Sequence, residues 1–176
     1  MTRGAPMSPY ETMSREELLQ ALKGFAKNWL AHDGCWFLAA EERLGLDAAI
    51  DLDAAAWRRF AAAEARRLIE VFGIPHGGGV QALERALSLR MYAVLNEQHM
   101  EWSDDGRTLR LAMDGCRVQD TRRRKGLPAF PCRPVGDVEF GTFARAIDAR
   151  IATRCVHCPP DPNQTGACTW EFTLGE

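Results

Sequence analysis

The residues most able to do chemistry in this chain are cysteines, and most of them lie in its C-terminal third. Cys155 and Cys158 form a CxxC motif, a spacing at which two thiolates can reach one metal ion from a tight turn. Cys132 and Cys168 are the nearest further thiols in sequence, with Cys116 as the alternative to Cys132. The set Cys132, Cys155, Cys158 and Cys168 therefore predicts a four-thiolate site for zinc, with an iron–sulfur cluster as the second choice.

Two other interpretations of the cysteines stay open. Cys155 or Cys158 could be a reactive thiol, as a nucleophile or as half of a redox pair. Alternatively, the thiols are small buried hydrophobes, which the shared strand parity of Cys168 and Trp170 favours. Cys35 lies far from the others in sequence, and helix packing explains it.

A second group of polar residues interrupts the apolar faces of predicted helices. His32 falls between Trp29 and Trp36 on the first helix, Glu64 occupies the apolar stripe of the second, and Arg90 lies on the inner face of the third. An imidazole or a carboxylate turned inward costs several kcal/mol unless it is paired. We therefore predict that His32, Glu64 and Arg90 converge.

The converging residues suggest catalytic roles. His32 would be a general base oriented by Glu64, and Arg90 would hold a substrate carboxylate. Trp29 and Trp36 would contact a small organic ligand. The alternative is a buried polar network that only fixes how the helices pack, while the neighbouring Asp33 is expected at the surface.

Hydrophobic periodicity predicts three helices in the N-terminal half of the chain. The first begins at the capping box formed by Ser14 and Glu17 and ends near Gly45. The second is capped by Asp51 or Asp53 and ends near residue 72, and the third covers about residues 80–96. The predicted inner face of the first helix consists of Leu18, Leu22, Phe25, Trp29, His32, Trp36 and Ala40.

The pattern changes to alternation after residue 99. The turn signal Asp104-Asp105-Gly106 followed by alternating apolar residues predicts a β-hairpin, whose second strand continues through Val118. Prolines at positions 128, 131 and 134 argue against regular structure, a short helix fits residues 138–148, and two strands close the chain. This order predicts an α+β fold, with three N-terminal helices packed on a small antiparallel sheet with one inserted helix.

Length and charge limit the kind of protein. The 176 residues suit one domain over residues 14–176, with a helical layer (14–98) and a cysteine-bearing sheet (99–176), preceded by a flexible arm over residues 1–13. A net charge of −2 predicts no general affinity for nucleic acid or membrane. The basic run at residues 122–125 is expected to be a solvated turn or strand end, or alternatively an anion site.

The N-terminus lacks the pattern of a signal peptide, and no apolar run approaches the ~20 residues that span a bilayer. We therefore expect a cytoplasmic protein. In a reducing compartment, grouped cysteines are metal ligands, redox groups or buried thiols more often than disulfides. The sequence predicts a small-molecule ligand, and it does not indicate the oligomeric state.

Two sequence stretches resemble a known family. Residues 28–34 are NWLAHDG, and the ending combines CPPD after the CxxC with CTWEF at residues 168–172. These motifs resemble a family of small bacterial and archaeal cytosolic proteins of unknown function, over nearly the whole chain after about residue 14. The chain is more distantly similar to the L-2-amino-thiazoline-4-carboxylate hydrolase-like proteins. That resemblance implies helices before a cysteine-bearing sheet and hydrolysis of a sulfur-containing ring, but no catalytic motif matches residue by residue.

Two functional hypotheses follow from the sequence. The first is a hydrolase-like enzyme that acts on a small, sulfur-containing acid, with His32, Glu64 and Cys155 as catalytic residues. The second is a module that binds a metal or a small ligand at the cysteine cluster without catalysis.

Overall fold

The computed structural model describes residues 8–161 and 168–175, so residues 1–7 of the expected arm and residues 162–163 of the proline-rich loop lie outside the described part. The helices are α1 (Arg15–Leu44), α2 (Leu46–Phe72), α3 (Gly79–Leu89), α4 (Met91–Leu95), α5 (Arg117–Arg124) and α6 (Cys132–Ile147). The strands are β1 (Glu97–Trp102), β2 (Thr108–Gly115), β3 (Ile151–His157) and β4 (Cys168–Leu174). These elements confirm the predicted α+β class.

The strands form one antiparallel sheet in the order β1-β2-β4-β3. The predicted hairpin joins β1 to β2, and Gly106 in its turn has a φ of 67°, which glycine adopts without strain. One face of the sheet is buried through alternating residues such as Leu109 and Leu111 of β2. On the opposite face, Glu171 of β4 forms ion pairs with Arg110 and with Arg154. The sheet therefore has one apolar face for the helices and one charged face.

Helix α6 lies directly on the apolar face of the sheet. Phe140 packs against Trp170 and Phe172 of β4, with ring centroids 4.8 and 6.1 Å apart. Helix α2 packs along α6, and α1 packs on α2 through Trp29 and Trp57, whose ring centroids are 6.1 Å apart. The helices thus form a layer that is deepest at α6 and outermost at α1.

The buried side of α1 differs from the predicted side. The side chains that turn inward include Ala26, Asp33 and Phe37, which are buried or half-buried. Trp36 is 68% exposed, and Phe25 is 55% exposed. The predicted inner face of α1 is therefore largely wrong, because the helix is rotated so that a mixed stripe with Ala26, Asp33 and Phe37 turns inward while Phe25 and Trp36 stay outside.

Several element boundaries also differ from the predictions. Helix α2 begins at Leu46, directly after Gly45, so Asp51 and Asp53 lie within the helix and do not cap it. The third predicted helix is divided at Arg90, whose backbone is extended with ψ of 152°. The strand expected through Val118 ends at Gly115.

The region after β2 contains two helices. Helix α5 begins at Arg117, where the strand was expected to continue. Helix α6 begins at Cys132, earlier than predicted, and includes Pro134 in its first turn. Proline fits there because the first N–H groups of a helix have no intrahelical acceptor. Among the described residues, no helix is both long enough and apolar enough to cross a bilayer.

Candidate ligand-binding site

A cavity of about 400 Å³ lies where α1, α2, α5 and α6 meet the ends of β2 and β4. Its lining is mainly apolar and rich in aromatic rings. The large apolar residues that line it are Leu30, Phe37, Leu38, Trp57, Tyr92, Met113, Phe130, Val135, Phe140 and Trp170. These side chains come from segments far apart in sequence, so the cavity forms only when the helical layer closes over the sheet.

Three carboxyl groups also line the cavity: Asp33 of α1, Asp53 of α2 and Glu139 of α6. Burial raises the pKa of Asp53 to about 7, with the nearby charges of Asp33 and Glu139 adding to the rise. Burial also raises the pKa of Asp33, which His32 partly offsets. Glu139 is paired with Arg90, whereas Asp33 and Asp53 form no ion pair with a described residue.

Arg90 lies beside the cavity and is paired with carboxylates of its own chain. Its guanidinium donates to Glu64 Oε2 through Nε at 3.0 Å and Nη2 at 2.8 Å, and Nη2 lies 2.8 Å from Glu139 Oε1. It also lies over aromatic rings, with 4.6 Å to the centroid of Phe143 and 5.6 Å to that of Trp57. The structure thus brings Glu64 and Arg90 together, but Arg90 is only 2% exposed and is already paired with the carboxylates of Glu64 and Glu139.

The electrostatics of this buried group favour ionised Arg90. Burial acts to lower the pKa of Arg90, but Glu139 and Glu64 outweigh it and hold the pKa above its usual value. Burial raises the pKa of Glu139 even though Arg90 opposes the rise. Glu139 is thus shared between two roles, since it pairs with Arg90 and also lines the cavity.

The structure separates the remaining predicted members of the polar site. His32 is exposed, and no hydrogen bond or ion pair joins it to Glu64 or Arg90 in the described residues. Trp36 is exposed as well, and Trp29 is half-buried against Trp57 and does not line the cavity. The expectation that His32 converges with Glu64 and Arg90 is wrong, because His32 lies outside the inward stripe of α1.

Five of the six cysteines form two groups, and the exposed Cys35 of α1 also lines the cavity. Cys116, Cys132 and Cys168 line the cavity, where Gln119 Nε2 donates to Cys132 Sγ at 3.1 Å. Burial raises the pKa of Cys132 to about 12 and raises the pKa values of Cys116 and Cys168 as well. These thiols are therefore neutral at physiological pH.

Cys155 and Cys158 lie at the end of β3 and are not part of the cavity lining. Both are buried, and burial together with the neighbouring Cys158 raises the pKa of Cys155 to about 12. A buried thiol with a raised pKa is a poor nucleophile. Among the nearby charges, Arg133 lowers the pKa of Cys155 and Asp137 raises it, and both effects are smaller than that of burial.

The four predicted metal ligands divide between these two groups. The two groups are neighbours, because the backbone N–H of Cys132 donates to the carbonyl of Pro159 at 3.1 Å. Within residues 8–161 and 168–175, no three side chains of the His, Cys, Asp and Glu types are arranged to hold a metal ion. The zinc site at Cys132, Cys155, Cys158 and Cys168 thus stays a prediction.

Basic residues lie mostly at the outer part of the cavity. Lys27, Arg117 and Lys125 line it with exposed side chains. Arg122 is 4% exposed, and its guanidinium donates to the Glu41 carboxylate at 2.7 and 3.0 Å. The expectation of a fully solvated basic run is therefore wrong at Arg122. This residue of α5 is buried and forms an ion pair with Glu41 of α1.

One buried polar atom of the cavity lining, Trp170 Nε1, has no hydrogen-bond partner among the described residues. Glu139 Oε1 is engaged by its ion pair with Arg90 at 2.8 Å. Trp170 packs against Gly136 of α6, where an added Cβ would lie 2.7 Å from Cη2 of the indole and closer to Cζ2. The floor of the cavity is therefore a tightly packed indole whose N–H donates no hydrogen bond to a described residue.

The sequence contained signals for the residues that it did not assign. Asp53 and Trp57 are four residues apart on α2, so they share a helical face. Val135, Glu139 and Phe143 have the same spacing on α6. A carboxylate at helical spacing among apolar residues is the same signal that identified Glu64.

Comparison with known proteins places the chain in a family. The model of a family of unknown function, DUF6125, matches residues 11–174. The chain belongs to this family. The coarse resemblance to proteins of unknown function is thereby confirmed, and membership in DUF6125 assigns no activity. No curated protein matches the chain.

A solved structure with some likeness to this DUF6125 protein is trafficking protein particle complex subunit 3 from Naegleria fowleri, covalently bound to palmitic acid. The sequences are 8% identical, and the match covers 92% of this chain and 98% of that chain with a TM-score of 0.49. A likeness of this strength supports no argument about ligand or function.

Proposed function

We propose that this protein binds a small, largely apolar organic molecule in the cavity between its helical layer and its sheet. The observation that carries this proposal is the cavity itself, whose volume of about 400 Å³ falls in the range of small-molecule sites. Its aromatic and aliphatic lining would remove apolar ligand surface from water, which is the main driving force for such binding. A few polar groups, including Asp33 and Asp53, would orient the ligand.

Binding is favoured over the hydrolase hypothesis by the positions of the proposed catalytic residues. His32 is exposed, Glu64 is bonded to Arg90, and Cys155 lies outside the cavity. Hydrolysis through these three residues would need them within hydrogen-bond reach of one substrate. We therefore propose the non-catalytic alternative as the function of this site.

Filling the cavity should weaken ligand binding. The probe is N-phenyl-1-naphthylamine, a neutral apolar fluorophore whose emission rises in a dry site. Gly34 of α1 lines the cavity, and a Cβ added there meets no atom within 4 Å. Gly34→Phe is expected to weaken dye binding about tenfold or more, which corresponds to ~1.4 kcal/mol, because the phenyl ring occupies ligand space.

Gly24→Phe is the matched control, since Gly24 lies on the same helix, outside the cavity lining, with equal room for a Cβ. It should leave dye affinity within about twofold of the parent protein. The proposal fails if the parent does not bind the dye with ~1:1 stoichiometry, or if both variants bind it as the parent does.

A zinc site at Cys132, Cys155, Cys158 and Cys168 is a separate proposal. It is favoured by the buried, adjacent thiols of Cys155 and Cys158 and by the contact of Cys132 with the turn that follows them.

Elemental analysis of protein purified without added metal should then give about one zinc per chain. Cys155→Ser should lower this content, whereas Cys35→Ser, at an exposed thiol, should not. Negligible zinc and iron, with folding unchanged by a chelator, would reject it.

A further inference from the structure

We infer that the ligand of this cavity is an organic cation, a molecule with an ammonium or similar group attached to an apolar body. This inference rests on the proposed function, and it names the class of ligand. It is carried by the placement of two unpaired carboxyl groups on facing helices of an aromatic-lined cavity.

The first supporting observation is the charge inside the cavity. Asp33 projects from α1 and Asp53 from α2, and both line the cavity without an ion pair to any described residue. Glu139 also lines the cavity, but its carboxylate is paired with Arg90 at 2.8 Å, so the uncompensated charge is that of Asp33 and Asp53. Ionised carboxylates in a poorly solvated site need a counter-charge or a proton. A cationic ligand group would provide that counter-charge.

The second observation is the aromatic lining. Trp57, Tyr92, Phe140 and Trp170 all line the cavity. The faces of aromatic rings carry negative electrostatic potential and attract cations, most strongly where water is excluded. Arg90 already uses this property, since its guanidinium lies over several rings of the same cluster, including Trp57 and Tyr92. The remaining ring surface that faces the cavity offers a ligand cation the same environment.

The basic residues of the lining do not neutralise the carboxylates. Arg122 is engaged by Glu41 at 2.7 and 3.0 Å. Lys27, Arg117 and Lys125 are exposed, where solvent and salt screen their charges. Burial raises the pKa values of the cavity thiols Cys116, Cys132 and Cys168, which add no charge at neutral pH. The inner part of the cavity therefore favours a cation, and the exposed lysines and arginine favour an anion only at the mouth.

The protonation of Asp53 couples this binding to pH. Burial and the charges of Asp33 and Glu139 raise the pKa of Asp53 to about 7, so its carboxyl is largely protonated at pH 6 and ionised at pH 8. The other titratable and charged side chains that line the cavity are Lys27, Asp33 and Cys35 of α1, Tyr92 of α4, Cys116 before α5, Arg117 and Arg122 of α5, Lys125 after it, Cys132 and Glu139 of α6, and Cys168 of β4. A primary ammonium keeps its charge across this range, as lysine does. Cation binding should therefore tighten severalfold from pH 6 to pH 8.

Three probes of similar size separate charge from shape. Isothermal titration calorimetry at pH 8 would compare phenethylammonium, phenethyl alcohol and 3-phenylpropionate with the parent protein. We expect phenethylammonium to bind at least about tenfold more tightly than the alcohol, and the alcohol more tightly than the anion. In the double variant Asp33→Asn/Asp53→Asn, the ammonium should lose about tenfold in affinity while the alcohol changes by less than about threefold.

Asp51→Asn is the control, because Asp51 is exposed on α2 and does not line the cavity. If the alcohol or the anion binds as tightly as the ammonium, the cation inference is overturned while cavity binding stands. If none of the three probes binds and N-phenyl-1-naphthylamine also fails to bind, the proposed function itself is overturned. Circular dichroism of each variant would verify folding, and a misfolded double variant is replaced by Asp33→Asn alone.

Discussion

Asp53 illustrates how the surroundings of one side chain change its chemistry. On an exposed helix its carboxyl would be ionised at all physiological pH values. In the cavity, burial and the neighbouring carboxyl groups of Asp33 and Glu139 raise its pKa to about 7. Its native state therefore binds a proton more tightly than the unfolded chain does, and ionising Asp53 opposes folding.

The stability of the protein should consequently depend on Asp53 and on pH. Because the native pKa lies above the unfolded value, the contribution to the free energy of unfolding is complete below about pH 4 and is lost as pH rises through 7. Asp53→Asn should thus be more stable than the parent at pH 8, by on the order of 1–2 kcal/mol after allowance for partial solvation, with little difference at pH 4.

Urea denaturation at both pH values measures this difference. Asp51→Asn changes an exposed residue of the same helix and should show no pH-dependent gain. A gain at pH 8 that is equal in the two variants would indicate a general effect of net charge and would contradict the local explanation.

At the scale of the elements, the contact between α6 and β4 fixes the floor of the cavity. Gly136 has no side chain, and the indole of Trp170 occupies the place where a Cβ would stand. This close approach lets α6 lie against the sheet, and it positions Glu139 one turn further along the same helix, beside Arg90. A glycine at position 136 therefore permits this close packing of α6 on β4.

Gly136→Ala should destabilise the protein by about 2–3 kcal/mol, because either α6 or Trp170 must move in a closely packed core. Gly141→Ala on the same helix is the control. A Cβ at Gly141 would lie 3.3 Å from Nη1 at the end of the flexible Arg145 side chain, which can shift. There the better helix propensity of alanine should keep stability equal to or up to ~1 kcal/mol above that of the parent. Thermal unfolding of the three proteins compares them, and equal midpoints would refute the packing argument.

The elements themselves were largely predictable from local pattern. The capping box of Ser14 and Glu17 begins α1, and the Asp-Gly turn joins β1 and β2. The alternation around Cys168 and Trp170 gives β4. Helix α5 was missed because its eight residues are mostly charged, and such a segment has no apolar period to detect.

At the scale of the whole molecule, the cavity is a product of how layers close over one another. Its walls come from α1, α2, α5 and α6, and its floor comes from β4 through Trp170. The packing of these layers also places Arg90 between Glu64 of α2 and Glu139 of α6, with which it forms ion pairs. A ligand in the cavity would thus contact every layer, and its binding should stabilise the closed molecule as a unit.

The sequence by itself determined the α+β class, the hairpin, the two final strands with Cys155 and Cys168, and the inward position of Glu64. Those features depend on period, capping and turn chemistry, which act over a few residues. Only the tertiary structure decided that His32 faces solvent, that Asp33 and Asp53 share a cavity, and that Glu139 meets Arg90. These relations depend on how each helix is rotated about its axis against distant elements, and that rotation is set by non-local packing, such as the contact of Gly136 with Trp170.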